Sequence, residues 1–413
     1  MQFNAALYVG LLVLTLLGVN FLCWLTFRLW PNLLISENER LKLDYLCRFE
    51  GDMKKYVPEW LDIAVDDWPE FVAEYRKGET GSHVYDDFVE FKHPKITGRF
   101  VNIDAAGFRH SRDQGPWPIS PDFFNIFFFG GSTTLNVGPD WTSVPSYLQE
   151  ELNRRGATDK QVRVYNFGRG SYFSTQERIL FQQLLLTGAV PDMAVFLDGV
   201  NDFYFFHGRP ATWGFFQNAL DTHNRENYEA AKNRTAAKPK WQELTEFIWS
   251  LPLSRAIEMI GDALAKRDAT AADVLYRPIA TEREVLVQVM ERYLHNKRQI
   301  EAICREYGIR PVFVWQPTPA YKYDLKYHVA LNLHYGLGGH ERSGEGYALM
   351  QEKRWPDLLV DRRFIWLADL QENESRPLYV DNMHYTSEFS RTIARHIVDA
   401  VVERKLISGT PVN

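Results

Sequence analysis

Four residues have the types and spacing to do chemistry together. Ser132 follows two glycines at the end of an apolar run, "FFNIFFFGGSTTLNVG". Asn201 lies in "LDGVND", and Asp381 and His384 stand three residues apart in "DNMH" near the C-terminus. A serine hydroxyl is a weak nucleophile until a base takes its proton. A histidine can be that base, and a nearby carboxylate fixes its tautomer and stabilises the imidazolium. The oxyanion that follows needs preorganised donors. The Asn201 amide and backbone N–H groups at Ser132 and in the Asn166-Phe167-Gly168-Arg169-Gly170-Ser171 loop can supply them. Taken singly, each stretch has a plainer reading. Ser132 alone is a helix cap, a turn residue or a phosphate-binding hydroxyl, and Asp-x-x-His alone is a surface pair.

The grouping depends on the elements that carry these residues. Residues 123–129 contain five Phe and suit a strand covered on both faces, as in a parallel sheet. The glycines after it permit a tight turn. "SVPSYLQEELNRRG" then has a helical pattern, with Leu148 and Leu152 at i, i+4 and Gly156 as its stop. "QVRVYNFG" is a second strand. "STQERILFQQLLLTG" is a helix with a capping box from Ser174 to Glu177 and a stop at Gly188. "PDMAVFLDGVND" is a third strand, "REVLVQVMERYLHNKRQIEAICREYG" a long amphipathic helix, "IRPVFVWQPTP" a fourth strand and "RRFIWLADL" a weaker fifth. "SEFSRTIARHIVDAVVERKL" closes the chain as a helix. This alternation predicts an α/β three-layer sandwich around a parallel sheet of about five strands. The four polar loops, from Gly130, Asn166, Asp198 and Asp381, then gather at the carboxyl edge of the sheet, where open α/β proteins place their sites.

Around that core, residues 1–30 read as a transmembrane anchor. No charged side chain precedes Arg28, and Trp24 and Trp30 suit an interfacial belt. The basic n-region and small-residue cleavage site of a signal peptide are missing. Residues 5–27 are expected to sit in a lipid bilayer. Arg28, Arg40, Lys42 and Arg48 follow, and positive-inside counting would keep that side cytoplasmic. Residues 31–94 form an acidic, mostly helical lead-in, and 95–413 the α/β domain. An insertion at about 203–280, aromatic at its start and polar in its middle, is either a cap over the site or a docking surface.

The motif blocks "FFFGGSTT", "VYNFGRGSYFSTQE", "LDGVND" and "DNMHYT" resemble, in order, those of the SGNH (GDSL-like) hydrolases, over roughly residues 95–405. The resemblance implies an SGNH/flavodoxin-like fold, Ser132 as nucleophile, Asp381 and His384 as its partners, and an oxyanion hole from Ser132, Gly170, Ser171 and Asn201. Gly-Gly-Ser replaces Gly-Asp-Ser, and Ser171 stands where a glycine is usual. The implied activity is a membrane-anchored serine esterase or deacylase cleaving an acyl ester, often acetyl, through an acyl-enzyme, with no cofactor and no metal. The alternatives are an O-acyltransferase passing the group to a cell-envelope glycan, beside a membrane protein partner, and a non-catalytic envelope scaffold. The implied location is a single-pass membrane protein with its catalytic domain extracytoplasmic, the reverse of what positive-inside counting gives, so the orientation stays open.

Composition narrows the classes further. A 413-residue chain with 45% hydrophobic and 24% charged residues can bury a large core. A net charge of −6 gives no electrostatic reason for a nucleic-acid partner. Cys23, Cys47 and Cys304 form no close pair, so a cysteine zinc site is not expected, and a Cys47–Cys304 disulfide stays open. His110, His207 and His340 show no metal-ligand spacing and read as surface or supporting residues. Arg109 reads as an ion-pair partner, and "WQPTP" as a rigid turn or a cleft wall. No lysine follows Gly130-Gly131 as a phosphate loop requires, and no opposed carboxylate pair suggests a glycosidase.

Overall fold

The structure, a computed structural model, describes residues 2–29, 56–79, 84–204, 251–254, 256–257, 282–329, 337, 340–353, 358 and 360–407. Nearly all of the expected insertion, with Cys47 and His207, lies outside the described residues. The chain forms two compact units, Met1–Cys47 with Trp213–Ile279 and Arg48–Thr212 with Ala280–Asn413.

In the first unit, α1 (Gln2–Leu29) is a single helix. Leu11, Leu14, Leu17, Phe21 and Leu22 are exposed on it. Two of its polar side chains are bonded, one within the helix and one to a distant segment of the same unit. Thr15 Oγ1 donates to the Leu11 carbonyl at 2.8 Å, and Asn20 Oδ1 accepts the Leu253 N–H at 2.9 Å. Among the described residues, no helix is long and apolar enough to cross a membrane. Several α1 side chains, those of Leu12 and Val13 among them, are outside that set.

The second unit is built on a five-stranded parallel sheet. Its strands are β3 (Phe124–Gly130), β4 (Val162–Asn166), β5 (Met193–Asp198), β6 (Arg310–Trp315) and β7 (Phe364–Trp366), in the order β4-β3-β5-β6-β7. Counted from β3, this is the 2-1-3-4-5 order of flavodoxin-like folds, whose switch point lies at the first and third strands. On one face, Ile126, Phe128, Val164, Val195 and Val312 pack under α4 (Val144–Arg155) and α8 (Ser387–Glu403). On the other, the register sets Phe129 beside Phe196 and Phe196 beside Phe313, with Phe167 next to Phe129. Their rings stack along a row at centroid distances of 5.6, 4.9 and 5.6 Å. The helices α5 (Ser174–Leu186) and α7 (Glu282–Tyr307) cover this row, with Phe181 of α5 edge-on to Phe129 and Phe196 and Lys297 of α7 over the Phe313 ring. Each buried ring contributes roughly 1.5–3 kcal/mol of transfer free energy, more than an exposed ion pair. The phenylalanine-rich strands therefore dominate this layer's stability.

Two expectations change. The described residues of the lead-in are only partly helical. After α2 (Trp68–Glu79) comes an antiparallel hairpin, β1 (Val84–Asp86) with β2 (Glu90–Lys92), and the lead-in from Arg48 onward belongs to the same compact unit as the sheet. The Glu74 carboxylate accepts the N–H groups of Arg99, Phe100 and Val101, which ties α2 to the chain entering the core. The capping box of α5 also does not form. Phe173 is the N-cap residue, without a side-chain cap bond, and Ser174 is already inside the helix. Its hydroxyl donates to Asp202 Oδ1 at 2.6 Å instead. Cys304 is buried as a free thiol, and burial pushes its pKa up.

Candidate active site

Ser132 leaves the carboxyl end of β3 as the first residue of a four-residue helix, α3 (Ser132–Leu135), with Gly131 as its N-cap. It is half-buried. A side chain on Gly131 would bring its Cβ to 2.2 Å from Asn201 Nδ2, so only glycine lets the Asn201 amide approach the backbone beside Ser132. Asn201 is in the short α6 (Val200–Tyr204) after β5, so Ser132 and Asn201 flank the switch point of the sheet. Asn201 Nδ2 also donates to the Tyr172 carbonyl at 2.8 Å, joining the loops after β3, β4 and β5.

Ser171 has φ +65°, a left-handed conformation that costs a residue with a Cβ about 1–2 kcal/mol. The Gly170 N–H points to His93 Nε2 at 3.5 Å, so it is engaged by the lead-in. The same loop is held by Arg169, which is buried and bonds to Asp86 Oδ2 at 2.7 Å and to the Phe91 carbonyl at 2.8 Å. The Tyr172 hydroxyl, 2.8 Å from the Val89 carbonyl, pins it to the hairpin as well. No feature of the sequence links the hairpin to this loop.

Asp381 and His384 form a self-contained turn. Asp381 Oδ1 accepts the N–H groups of Met383 and His384 at 2.9 and 2.7 Å. His384 Nδ1 lies 2.7 Å from Oδ2 and 2.9 Å from Oδ1. A carboxylate only accepts, so Nδ1 carries the proton and Nε2 presents its lone pair. His384 is buried, while Asp381 is half-buried. The residues that follow the serine and the histidine then meet. Thr133 Oγ1 and the Tyr385 hydroxyl both donate to Gln316 Oε1, at 2.7 and 2.9 Å. Ser132 and His384 thus sit at the same edge of the sheet, each one residue from a shared acceptor.

Other residues singled out in the sequence take supporting places. Arg109 pairs with Asp140, Nε to Oδ1 at 2.9 Å, and bonds the carbonyls of Leu135, Asn136 and Gly138 in the chain leaving α3. His340 is buried, not at the surface. Burial and the neighbouring His384 push its pKa down to about 3, so it is neutral at ordinary pH. His110 is half-buried. Among the described residues, no group of three or more His, Cys, Asp or Glu could hold a metal ion.

Beneath Asn201 lies a buried acidic group that the motifs do not explain. Glu177, Asp198 and Asp202 are all buried. Burial first, and mutual repulsion second, raise Glu177 and Asp198 well above the carboxylate range. The contact between them raises Glu177 and lowers Asp198. Asp202 is also raised by burial, less so because Arg292 lies 3.6 Å away. Folded pKa values above the unfolded ones mean stability that is full at low pH and lost as pH rises through the folded values. Glu177→Gln keeps a donor toward Asp198 and removes one titrating group. Denaturant titrations from about pH 4 upward, where the unfolded carboxyl ionises, are expected to show a shallower loss of stability for this variant than for the wild type.

No known family and no curated protein matches the chain by sequence. Solved structures do match. BT4096, a gut microbial diltiazem-metabolizing enzyme, is 13% identical, with a TM-score of 0.36 over 70% of this chain and 48% of that one, so the chain spans about half of its length. The acetyl xylan esterase AlAXEase is 15% identical (TM-score 0.31, 67% and 99% covered). The lipase/acylhydrolase from Enterococcus faecalis is 10% identical (TM-score 0.30, 68% and 96% covered).

Proposed function

We propose that the chain is a serine esterase or deacylase that cleaves an acyl ester, acetyl in the first instance, through an acyl-enzyme. The observation that carries this reading is the Asp381–His384 pair, bonded through Nδ1 at 2.7 Å at the sheet edge where Ser132 also lies. In this reading His384 Nε2 takes the Ser132 proton as Oγ attacks the ester carbonyl. The oxyanion accepts hydrogen bonds from the N–H groups of Ser132 and Ser171 and from the Asn201 amide, while the Gly170 N–H is engaged by His93. Collapse expels the alcohol, protonated by His384. Water, activated by the same nitrogen, then releases the acid. If a glycan hydroxyl takes the place of water, the same acyl-enzyme makes the protein a transferase. A fluorophosphonate probe is expected to label the purified chain at Ser132 and to leave Ser132→Ala unlabelled. A wild-type chain that resists the probe would favour the docking role instead.

The anchor belongs to the same proposal. Residues 5–27 hold no charged side chain, and the described apolar side chains of α1 are largely exposed. At about 1.5 Å per residue, 23 residues span the roughly 30 Å hydrocarbon layer. The full-length chain is expected to stay in the membrane pellet after alkaline carbonate extraction, and its release into the supernatant would refute the anchor.

A further inference from the structure

We infer that Gln316 is a positioning residue that sets the distance between Ser132 and His384, an inference that rests on the serine-hydrolase reading. Gln316 follows β6 directly, is buried, and has its backbone N–H on the Asp198 carbonyl at 3.0 Å, so its main chain is fixed to the centre of the sheet. Its side chain has one possible orientation. Nε2 donates to the Leu197 carbonyl at 3.3 Å. A carbonyl cannot donate, so a flipped amide would set two acceptors against each other. Oε1 must therefore face the hydroxyls of Thr133 and Tyr385, and both can donate to it. The Tyr385 hydroxyl also lies 2.7 Å from the Pro317 carbonyl, so its one proton is shared between that carbonyl and Gln316 Oε1, which holds the hydroxyl in the same corner.

The consequence follows from where those two residues stand. Thr133 is bonded to Ser132 and Tyr385 to His384, and consecutive Cα atoms are about 3.8 Å apart. Each turn has its own support. Arg109 and Asn166 bond the carbonyls after Ser132, and Asp381 caps the histidine turn. Those supports fix each turn internally but not relative to the other. The Gln316 amide oxygen, anchored to β6, is shared by the two, whose Thr133 and Tyr385 side chains also interact with each other. Thr133, Gln316 and Tyr385 are far apart in sequence, so no local motif records the arrangement.

The test is the rate of fluorophosphonate labelling as a function of pH, measured on folded full-length protein well below its unfolding temperature. Gln316→Leu keeps the approximate volume and removes the acceptor. It is expected to slow labelling roughly 10–100-fold, the usual cost of misplacing reacting groups by about 1 Å. Thr133→Val and Tyr385→Phe each cut one arm, and combining either with Gln316→Leu is expected to add little. Gln316→Glu supplies the discriminating signature. With the introduced carboxyl protonated, it donates to the Leu197 carbonyl and accepts both hydroxyls, as the amide does. Its labelling is expected to approach the wild-type rate at low pH and to fall as the carboxyl ionises, whereas the wild-type rate does not fall. If Gln316→Leu does not fold, the Thr133→Val/Tyr385→Phe double variant decides, with the same expected slowing. Wild-type rates in these variants would overturn the inference alone. A wild-type chain that is not labelled at all would overturn the proposed function and this inference with it.

Discussion

Replacing Ser132 or His384 with alanine is expected to abolish measurable ester hydrolysis, a loss of about 10⁴–10⁶ in kcat, and the double variant is expected to be no worse than either single one. Residues that act as a unit lose their contribution together, because neither half of the proton transfer works without the other. Asp381→Asn is more discriminating. Oδ1 of Asp381 accepts two backbone N–H groups, from Met383 and His384. An asparagine there must put its carbonyl oxygen in that place and turn its NH2 toward His384 Nδ1. The imidazole is then forced to carry its proton on Nε2, the wrong tautomer for a base, while the turn itself survives. The expected loss is about 10⁴ in kcat with an unchanged fold. Asn201→Ala removes one oxyanion donor and is expected to cost about 10²–10³. The assay is release of p-nitrophenol from a short-chain acyl ester. Equal turnover by Ser132→Ala and wild type would remove this site from consideration.

Arg109→Met is expected to destabilise the protein by about 3–5 kcal/mol, read as a drop in the urea midpoint. The guanidinium is only 2% exposed and has four partners, the Asp140 carboxylate and three carbonyls of the chain leaving α3. Removing one side of a buried ion pair strands the other, which costs more than the pair itself contributes. Asp140 is already raised by its burial, and Arg109 is the main influence pulling it back down. Without Arg109 its folded pKa rises further, so the variant's deficit is expected to grow as pH rises through that value and to shrink in acid. Arg109→Lys is expected to rescue little, because one ammonium cannot reach acceptors arranged around a planar fork. A loss below about 1 kcal/mol would show that the loop after Ser132 has other support.

The expected strand–helix alternation, and Ser132, Asn201, Asp381 and His384 as its polar strand-end residues, follow from local features. Strand and helix periodicities, the glycine stop at Gly156 with its left-handed φ of +59°, and the Asp-x-x-His turn are each complete within a few residues. The Asp381–His384 bond needs no distant neighbour, so its geometry was written in the spacing. The tertiary structure alone decided which polar groups share partners. Ser174 has the type and position of a helix cap, yet its hydroxyl bonds Asp202, 28 positions away, because α5 is pressed against the loop after β5. Glu177, the other half of the expected capping box, faces Asp198 in the interior for the same reason. Gln316 reads as the start of a turn until β6 brings it between Thr133, 183 positions earlier, and Tyr385. Periodicity states which face of an element is buried. It does not state which element covers that face, and the bonds between distant loops depend on that pairing.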